Sequence, residues 1–177
     1  MSLESLAQGL QASRFSELLQ ATSWVVPTLQ AIHILMIGVV FVSILAVALR
    51  VLGRVRAEEP LIAVWRRFAP FIWTGVTLMA ATGLLLTIAE PVRQVMTLSF
   101  RIKMLLVVVG VISAVAFGRK VARAAAAAEQ ALPSRLKGAA VATVVLWLAI
   151  IFLGRAIAYD DSIWGSWSPV HQQDAAQ

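Results

Sequence analysis

The sequence predicts an all-α fold, in which four transmembrane helices form a bundle after an N-terminal amphipathic helix that lies in the membrane interface. Of the 177 residues, 60% are hydrophobic and 14% are charged, whereas soluble domains carry about 25% charged residues. No Lys, Arg, Asp or Glu occurs between Trp24 and Leu49, and about 20 apolar residues suffice to span a bilayer. These observations predict an integral membrane protein that contacts lipid over most of its surface.

Charge and cysteine content exclude several classes of function. The formal net charge is +6, but the basic residues are scattered between apolar runs and form no stripe with exposed aromatic residues, so nucleic-acid binding is not expected. Basic residues that flank transmembrane segments set the topology and contact anionic lipid head groups. Because the chain has no cysteine, disulfides, thiolate metal sites and thiol catalysis are excluded within it.

Residues 1–20 have the spacing of an amphipathic helix. Apolar residues recur at helical intervals, which predicts a helix in the interface rather than a secretory signal; a frayed polar N-terminus is the alternative. The apolar positions are Leu3, Leu6, Ala7, Leu10 and Leu18, and the polar positions between them are Glu4, Gln8, Gln11, Arg14 and Glu17.

Four apolar segments form the predicted transmembrane domain, residues 21–160. They cover residues 24–50, 71–89, 104–117 and 136–158. The third is only about half a bilayer long, so we expect Arg101 and Lys103 to snorkel and the helix to continue past Gly118 into the alanine tract 124–128, because alanine is the best helix former. Pro133 ends that helix, and residues 161–177, which include His171, form a polar extracytoplasmic tail.

The basic residues also predict the orientation of the bundle. Ten of the 15 lysines and arginines fall in the loops after the first and third segments, and short loops rich in Lys and Arg stay in the cytoplasm. We therefore expect a multi-pass protein of the bacterial inner (cytoplasmic) membrane with both termini extracytoplasmic.

His33 is the residue around which a site is predicted, because an ionisable ring in hydrocarbon is costly and is a functional hypothesis by default. It lies about 13 Å along the helix from Trp24, toward the extracytoplasmic side. The predicted topology brings further polar side chains to that side: Gln30, Glu90, Arg101, Lys103, Arg155 and Tyr159. Such a pocket would suit an anionic head group, a quinone ring or a haem propionate.

Several roles stay open for His33. It is a packing histidine that donates to a carbonyl or to Glu90, a metal ligand that binds haem iron through one neutral nitrogen, or a quinone contact or proton relay. Haem with two histidine ligands needs a second imidazole, and the spans contain no other histidine. The remaining sources of a ligand are His33 of a second copy, a partner subunit, or one of the methionines Met36, Met79 and Met104.

The other polar residues have plainer alternatives. Arg101, Lys103 and Arg155 are snorkelling anchors or ligands, and Glu90 is a polar stop at a helix end or a proton carrier. The spans contain no HxxxH, no ExxH and no paired carboxylates, so no metalloenzyme site is indicated. We assign no catalytic residue.

Short motifs keep a fixed order along the chain: WVVPTLQAIH (24–33), RVLG (50–53), FIWTG (71–75), TGLLL (82–86) with EP (90–91), FRIKM (100–104) and GRAIAY (154–159). They resemble a family of uncharacterised bacterial four-helix inner-membrane proteins, which is distantly similar to copper-resistance D-like proteins and four-helix cytochromes b. The resemblance implies a fold and a location but no activity. The chain departs from the family at residues 48–50, where an acidic residue is expected beside the arginine, and at residues 117–118, where a histidine is expected.

We hypothesise that the chain is an integral membrane subunit or anchor that docks an extracytoplasmic redox partner and passes electrons through haem b or quinone near His33. The competing hypothesis is a non-catalytic structural subunit that packs against other membrane proteins and lipid. A homo-oligomer is compatible with both. Transport of a metal or small solute is less well supported, because the spans contain few polar groups.

Overall fold

The computed structural model describes residues 3–126 and 134–169. Its α-helices are α1 (Leu3–Gln11), α2 (Arg14–Ala21), α3 (Val25–Val51), α4 (Leu61–Ala89), α5 (Pro91–Val95), α6 (Leu98–Ala126), α7 (Ser134–Ala156) and α8 (Asp160–Trp164). Two short 3₁₀ turns, Ile157–Tyr159 and Gly165–Trp167, flank α8. Within the described ranges there is no β-strand, which confirms the all-α prediction.

The four predicted spans are present as α3, α4, α6 and α7. Each is long and apolar enough to cross a membrane, and the chain therefore has the architecture of a multi-pass integral membrane protein. Large apolar side chains point away from the bundle: Ile34 is 67% exposed, Leu105 is 65% exposed and Phe152 is 72% exposed. In water such a surface would be unfavourable, so these side chains are solvated by lipid.

Neighbouring spans run antiparallel in a ring. Helix α3 packs against α4 and α7, and α6 packs against α7 and α4, so α3 and α6 lie diagonally across the bundle. We call one end the capped end, because α1, α2, α5 and α8 pack there, against the ends of α4 and α6. At this end α3 and α6 begin and α4 and α7 finish. The opposite end is the loop end, where a short loop joins α3 to α4.

Two of the predicted span boundaries needed correction. Helix α4 begins at Leu61 rather than at residue 71, and it contains Pro70. Pro70 removes the hydrogen bond to the carbonyl of Arg66, but proline is tolerated in membrane helices because local adjustments satisfy the freed carbonyl. Helix α6 begins at Leu98 and continues to Ala126, as expected for the start of the alanine tract; residues 127–133, including Pro133, lie outside the described residues.

The predicted N-terminal helix is divided into two. Ser13 separates α1 from α2, and its hydroxyl accepts a hydrogen bond from the amide of Ser16 (3.3 Å), as an N-cap does. Small side chains face the bundle, since Ala7 is 4% exposed and Ser16 is 0% exposed. The large apolar side chains of these helices are exposed: Leu6, Leu10, Phe15 and Leu18. Their exposure fits the expected interfacial helix, whose apolar face lies in the membrane.

Helix α8 and the 3₁₀ turn after it fold the junction between the predicted transmembrane domain and its tail, which the sequence did not predict. Asp160 is 3% exposed, and its carboxylate accepts hydrogen bonds from the amides of Leu98 (3.1 Å) and Ser99 (2.7 Å). These amides begin α6 and have no partner within the helix, so the carboxylate caps the third span from a distant part of the chain. Residues 170–177, including His171, lie outside the described residues.

Glycine allows α3 and α4 to approach closely near the middle of the membrane. A Cβ atom added to Gly75 would lie 2.5 Å from Cγ2 of Val40, which is fully buried. Val40 is β-branched and has little rotamer freedom in a helix, so it could not move aside. Small residues at helix interfaces are a general device in membranes, where lipid provides no hydrophobic drive for helix association.

Replacing Gly75 with alanine should therefore destabilise the bundle. We expect Gly75→Ala to lower the free energy of unfolding by about 1–3 kcal/mol, the usual cost of overpacking a core, measured by thermal or denaturant unfolding in detergent. Gly38→Ala is the matched control, because nothing lies within 4 Å of a Cβ at that position. Equal effects of the two substitutions would contradict the proposed close contact.

Candidate functional site

His33 lies partly buried in the capped half of the bundle. It is about 12 Å from the start of α3, and its Nδ1 lies 2.9 Å from Oγ1 of Thr82 on α4. The Thr82 hydroxyl has one proton, which points to the carbonyl of Leu78 (2.7 Å). Thr82 therefore accepts the bond, and the proton belongs to Nδ1 of the ring.

This assignment leaves the other ring nitrogen of His33 with its lone pair. A neutral imidazole carries one proton, so Nε2 is an acceptor when Nδ1 is the donor. Besides Thr82, the His33 ring has a hydrogen bond to the backbone of Met79, which accepts from a ring N–H. An unshared imidazole lone pair can accept a proton or bind a metal.

A glycine on α4 makes room for the ring. A Cβ atom added to Gly83 would lie 3.2 Å from Cε1 of His33, so a larger residue there would push against the imidazole. The pair Thr82 and Gly83 thus provides the hydrogen bond and the space that fix the ring.

Lys103 approaches the same region from the diagonal helix α6. Its Cε and Nζ atoms both lie 3.7 Å from the Cβ position of Gly154 on α7, and its ammonium group interacts electrostatically with the His33 ring. Lys103 forms no ion pair within residues 3–126 and 134–169. Each of the four spans therefore contributes one part of the site: His33, Thr82 with Gly83, Lys103 and Gly154.

The remaining predicted residues lie outside this cluster. Gln30 is exposed on α3, and Glu90 pairs with Arg93 (2.9 Å) rather than with His33. Arg101 donates from Nε to the carbonyl of Val95 (3.0 Å). Arg155 and Tyr159 contact each other at the surface, with Nη2 of the arginine 3.2 Å from the phenol oxygen and its guanidinium 5.2 Å from the ring centre.

The donor set restricts which metal centre this chain could form. Among the described residues, no group of three or more His, Asp or Glu side chains is placed to hold a metal ion. Of the methionines considered as a second haem ligand, Met79 packs against the central core cluster and Met104 is 44% exposed. The described residues thus offer one histidine, and a haem with two histidine ligands does not fit within them.

Two cavities stand out in the described bundle, and neither is lined by His33 or Lys103. One, of about 10 Å³, lies in the core beside Thr143 and Phe117 and has room for at most one water molecule. The other is a groove of about 410 Å³ on the lipid-facing side of α3 and α4. A ligand bound at His33 would therefore lie outside both cavities.

No protein-family model, curated protein or solved structure matches this chain. The resemblance to bacterial four-helix inner-membrane proteins therefore stays a prediction, and function has to be argued from the geometry of the site.

The tautomer of His33 is directly measurable. In protein labelled with ¹⁵N-histidine, we expect the Nδ1 signal of His33 to be that of a protonated nitrogen and the Nε2 signal to be that of an unprotonated one. Thr82→Val should abolish this preference, because the acceptor of the Nδ1 proton is removed. Thr77→Val is the matched control, since Thr77 is an exposed threonine of α4 that bonds only to its own helix at the carbonyl of Trp73 (2.9 Å). A wild-type spectrum with the proton on Nε2 would contradict the assignment.

Proposed function

We propose that this chain is a membrane subunit that binds the head group of a quinone at His33 and Lys103 and docks an extracytoplasmic redox partner at its capped end. The observation that carries the proposal is the pairing of two unlike groups across the bundle. One is the imidazole of His33, which keeps one unprotonated nitrogen in its neutral form, and the other is the ammonium of Lys103, which has no acidic partner among the described residues.

These groups fit the chemistry of a quinone head group. A bound quinone would carry two electrons together with two protons. The Lys103 ammonium can donate a hydrogen bond to a ring oxygen, and Nε2 of His33 can accept a proton from the hydroxyl of the reduced ring. Thr82 keeps the imidazole in the tautomer that makes Nε2 the acceptor. A haem with two histidine ligands would need a second imidazole from outside the described residues, so the donor set favours quinone.

The arrangement of the helices supports access from the membrane. Helices α4 and α6 pack less extensively against each other than α3 and α4 do. An apolar quinone tail could leave the site through this looser seam, which lies between Thr82 and Lys103. The apolar residues that line the outside of the bundle would contact the tail as they contact lipid.

The proposed orientation puts this site near the extracytoplasmic face of a bacterial inner membrane. Arginine-rich sequence at the loop end supports a cytoplasmic position for that end, so the capped end and both termini face outward. The capped end then presents α1, α2, α5 and α8 to the aqueous side. A redox partner that docks there would be at least about 12 Å from the level of His33 along α3.

The proposal predicts stoichiometric quinone in the purified protein. Extraction and chromatography should recover quinone from wild type, and titration with decylubiquinone, followed by tryptophan fluorescence, should saturate. His33→Ala and Lys103→Met should each weaken binding by roughly tenfold, as expected for the loss of one buried hydrogen bond. Gln30→Ala and Arg101→Gln are the controls and should bind as wild type does.

Two results would contradict this function. A haem absorption band that disappears in His33→Ala would assign the histidine to iron and indicate a second chain as the source of the other ligand. A colourless protein that contains no quinone and does not bind decylubiquinone would favour the structural alternative, a subunit that only packs against other membrane proteins and lipid.

A further inference from the structure

A groove and a pair of arginines meet on the side of the bundle formed by α3 and α4. The groove has a volume of about 410 Å³ and is lined by Leu35, Gly38, Val39, Val42, Ser43, Phe68 and Phe71. Several of these side chains are well exposed, including Leu35 at 63% and Val42 at 61%. The groove deepens at Gly38, where nothing lies within 4 Å of a Cβ position.

The arginines lie toward the loop end of this groove. Arg67 is one helical turn before Phe71, so the two residues share a face of α4. Side chains in a helix lean toward its N-terminus, which directs Arg67 toward the loop end, away from the middle of the membrane. The groove therefore runs from the hydrocarbon region toward a cationic side chain at the level of the lipid head groups.

One carboxylate holds two arginines together here. Glu59 pairs with Arg56 (2.7 Å) and with Arg67 (3.3 Å), and the hydrogen bond from Arg56 lowers the pKa of the Glu59 carboxyl below its ordinary value. The cluster is positioned by Nε of Arg50, which donates to the Glu59 carbonyl (2.7 Å). Arg56 adopts a left-handed backbone with φ of 52°, a conformation uncommon outside glycine.

The cluster of Arg56, Glu59 and Arg67 retains a net positive charge and unused donors. Each guanidinium has five N–H groups, and the contacts to the Glu59 carboxylate use only a part of them. Guanidinium groups match phosphate oxygens in geometry and charge. A phosphate could therefore bind both arginines while Glu59 keeps them in place.

We propose that this groove seats one acyl chain of an anionic phospholipid whose phosphate is bound by Arg56 and Arg67. The apolar groove accommodates the chain, and the arginines select the charge of the head group. Charge complementarity argues for this occupant over an apolar helix, which would leave the net positive charge of Arg56, Glu59 and Arg67 unbalanced. The site is separate from His33, and the inference does not depend on the proposed quinone function.

Native mass spectrometry of the full chain in detergent can test this site with two probes, phosphatidylglycerol and phosphatidylcholine with identical acyl chains. We expect one phosphatidylglycerol to bind at least about fivefold more tightly than phosphatidylcholine. This is the gain in affinity that one basic residue near an anionic lipid surface gives. Arg67→Gln should remove this preference. Arg66→Gln is the matched control, because Arg66 lies about 140° around the helix from Phe71, and it should keep the preference.

Two further variants test the groove independently of the two arginines. Gly38→Leu should fill it and weaken the binding of both lipids, and Val42→Phe provides a second variant at an exposed position. Circular dichroism and gel filtration verify that each variant is folded. Equal losses in Arg66→Gln and Arg67→Gln, or unchanged binding in both groove variants, would overturn the proposal. A dimer that Gly38→Leu dissociates, without a lipid adduct, would also overturn it and assign the groove to a second copy of the chain.

Discussion

Backbone amides and carbonyls have no water to bond to in the hydrocarbon of a membrane, and this constraint determines most of the structure. In the interior of the four long helices, the backbone groups bond to one another. The first amides and the last carbonyls of each helix have no such partner within it. At the capped end the missing partners come from distant parts of the chain. Gln20 on α2 donates to the carbonyl of Ala89 at the end of α4 (2.7 Å), and Asp160 accepts from the first amides of α6. Helices α2 and α8 thus supply hydrogen-bond partners that are missing at the ends of α4 and α6.

The same constraint explains the structure around His33. A polar ring among aliphatic side chains costs free energy unless its hydrogen bonds are made. Thr82 satisfies Nδ1 of His33, while its own hydroxyl proton bonds within α4. The backbone of Met79 also bonds to the ring. An ionisable ring in the same region as a lysine without an acidic partner is a costly arrangement for packing alone, and it is the physical basis for proposing a ligand there.

The sequence predicted the fold well and the site in part. Uncharged runs of membrane length identify the spans whatever their partners, because length and hydropathy are local properties. His33 and Lys103 were also predicted, since ionisable residues within spans are rare. Thr82 and Gly154 were not predicted as site residues, because which faces of the helices meet depends on packing. Counting from the helix ends would have helped with Thr82, which is about 10 Å from the end of α4 and so level with His33. Asp160 was missed because its amide partners are more than sixty positions earlier in the chain.

Accessibility of single cysteines from the two sides of the membrane measures the four-span topology directly, and the chain is well suited to it because it contains no cysteine. Exposed positions are available at Ser23 and Asp161 near the capped end and at Gly53 in the loop after α3. In intact spheroplasts, an impermeant maleimide should label Ser23→Cys and Asp161→Cys, and it should label Gly53→Cys only after the membrane is disrupted. Labelling of Gly53→Cys together with Ser23→Cys in intact spheroplasts would contradict a first span between them, and labelling of Gly53→Cys alone would invert the bundle.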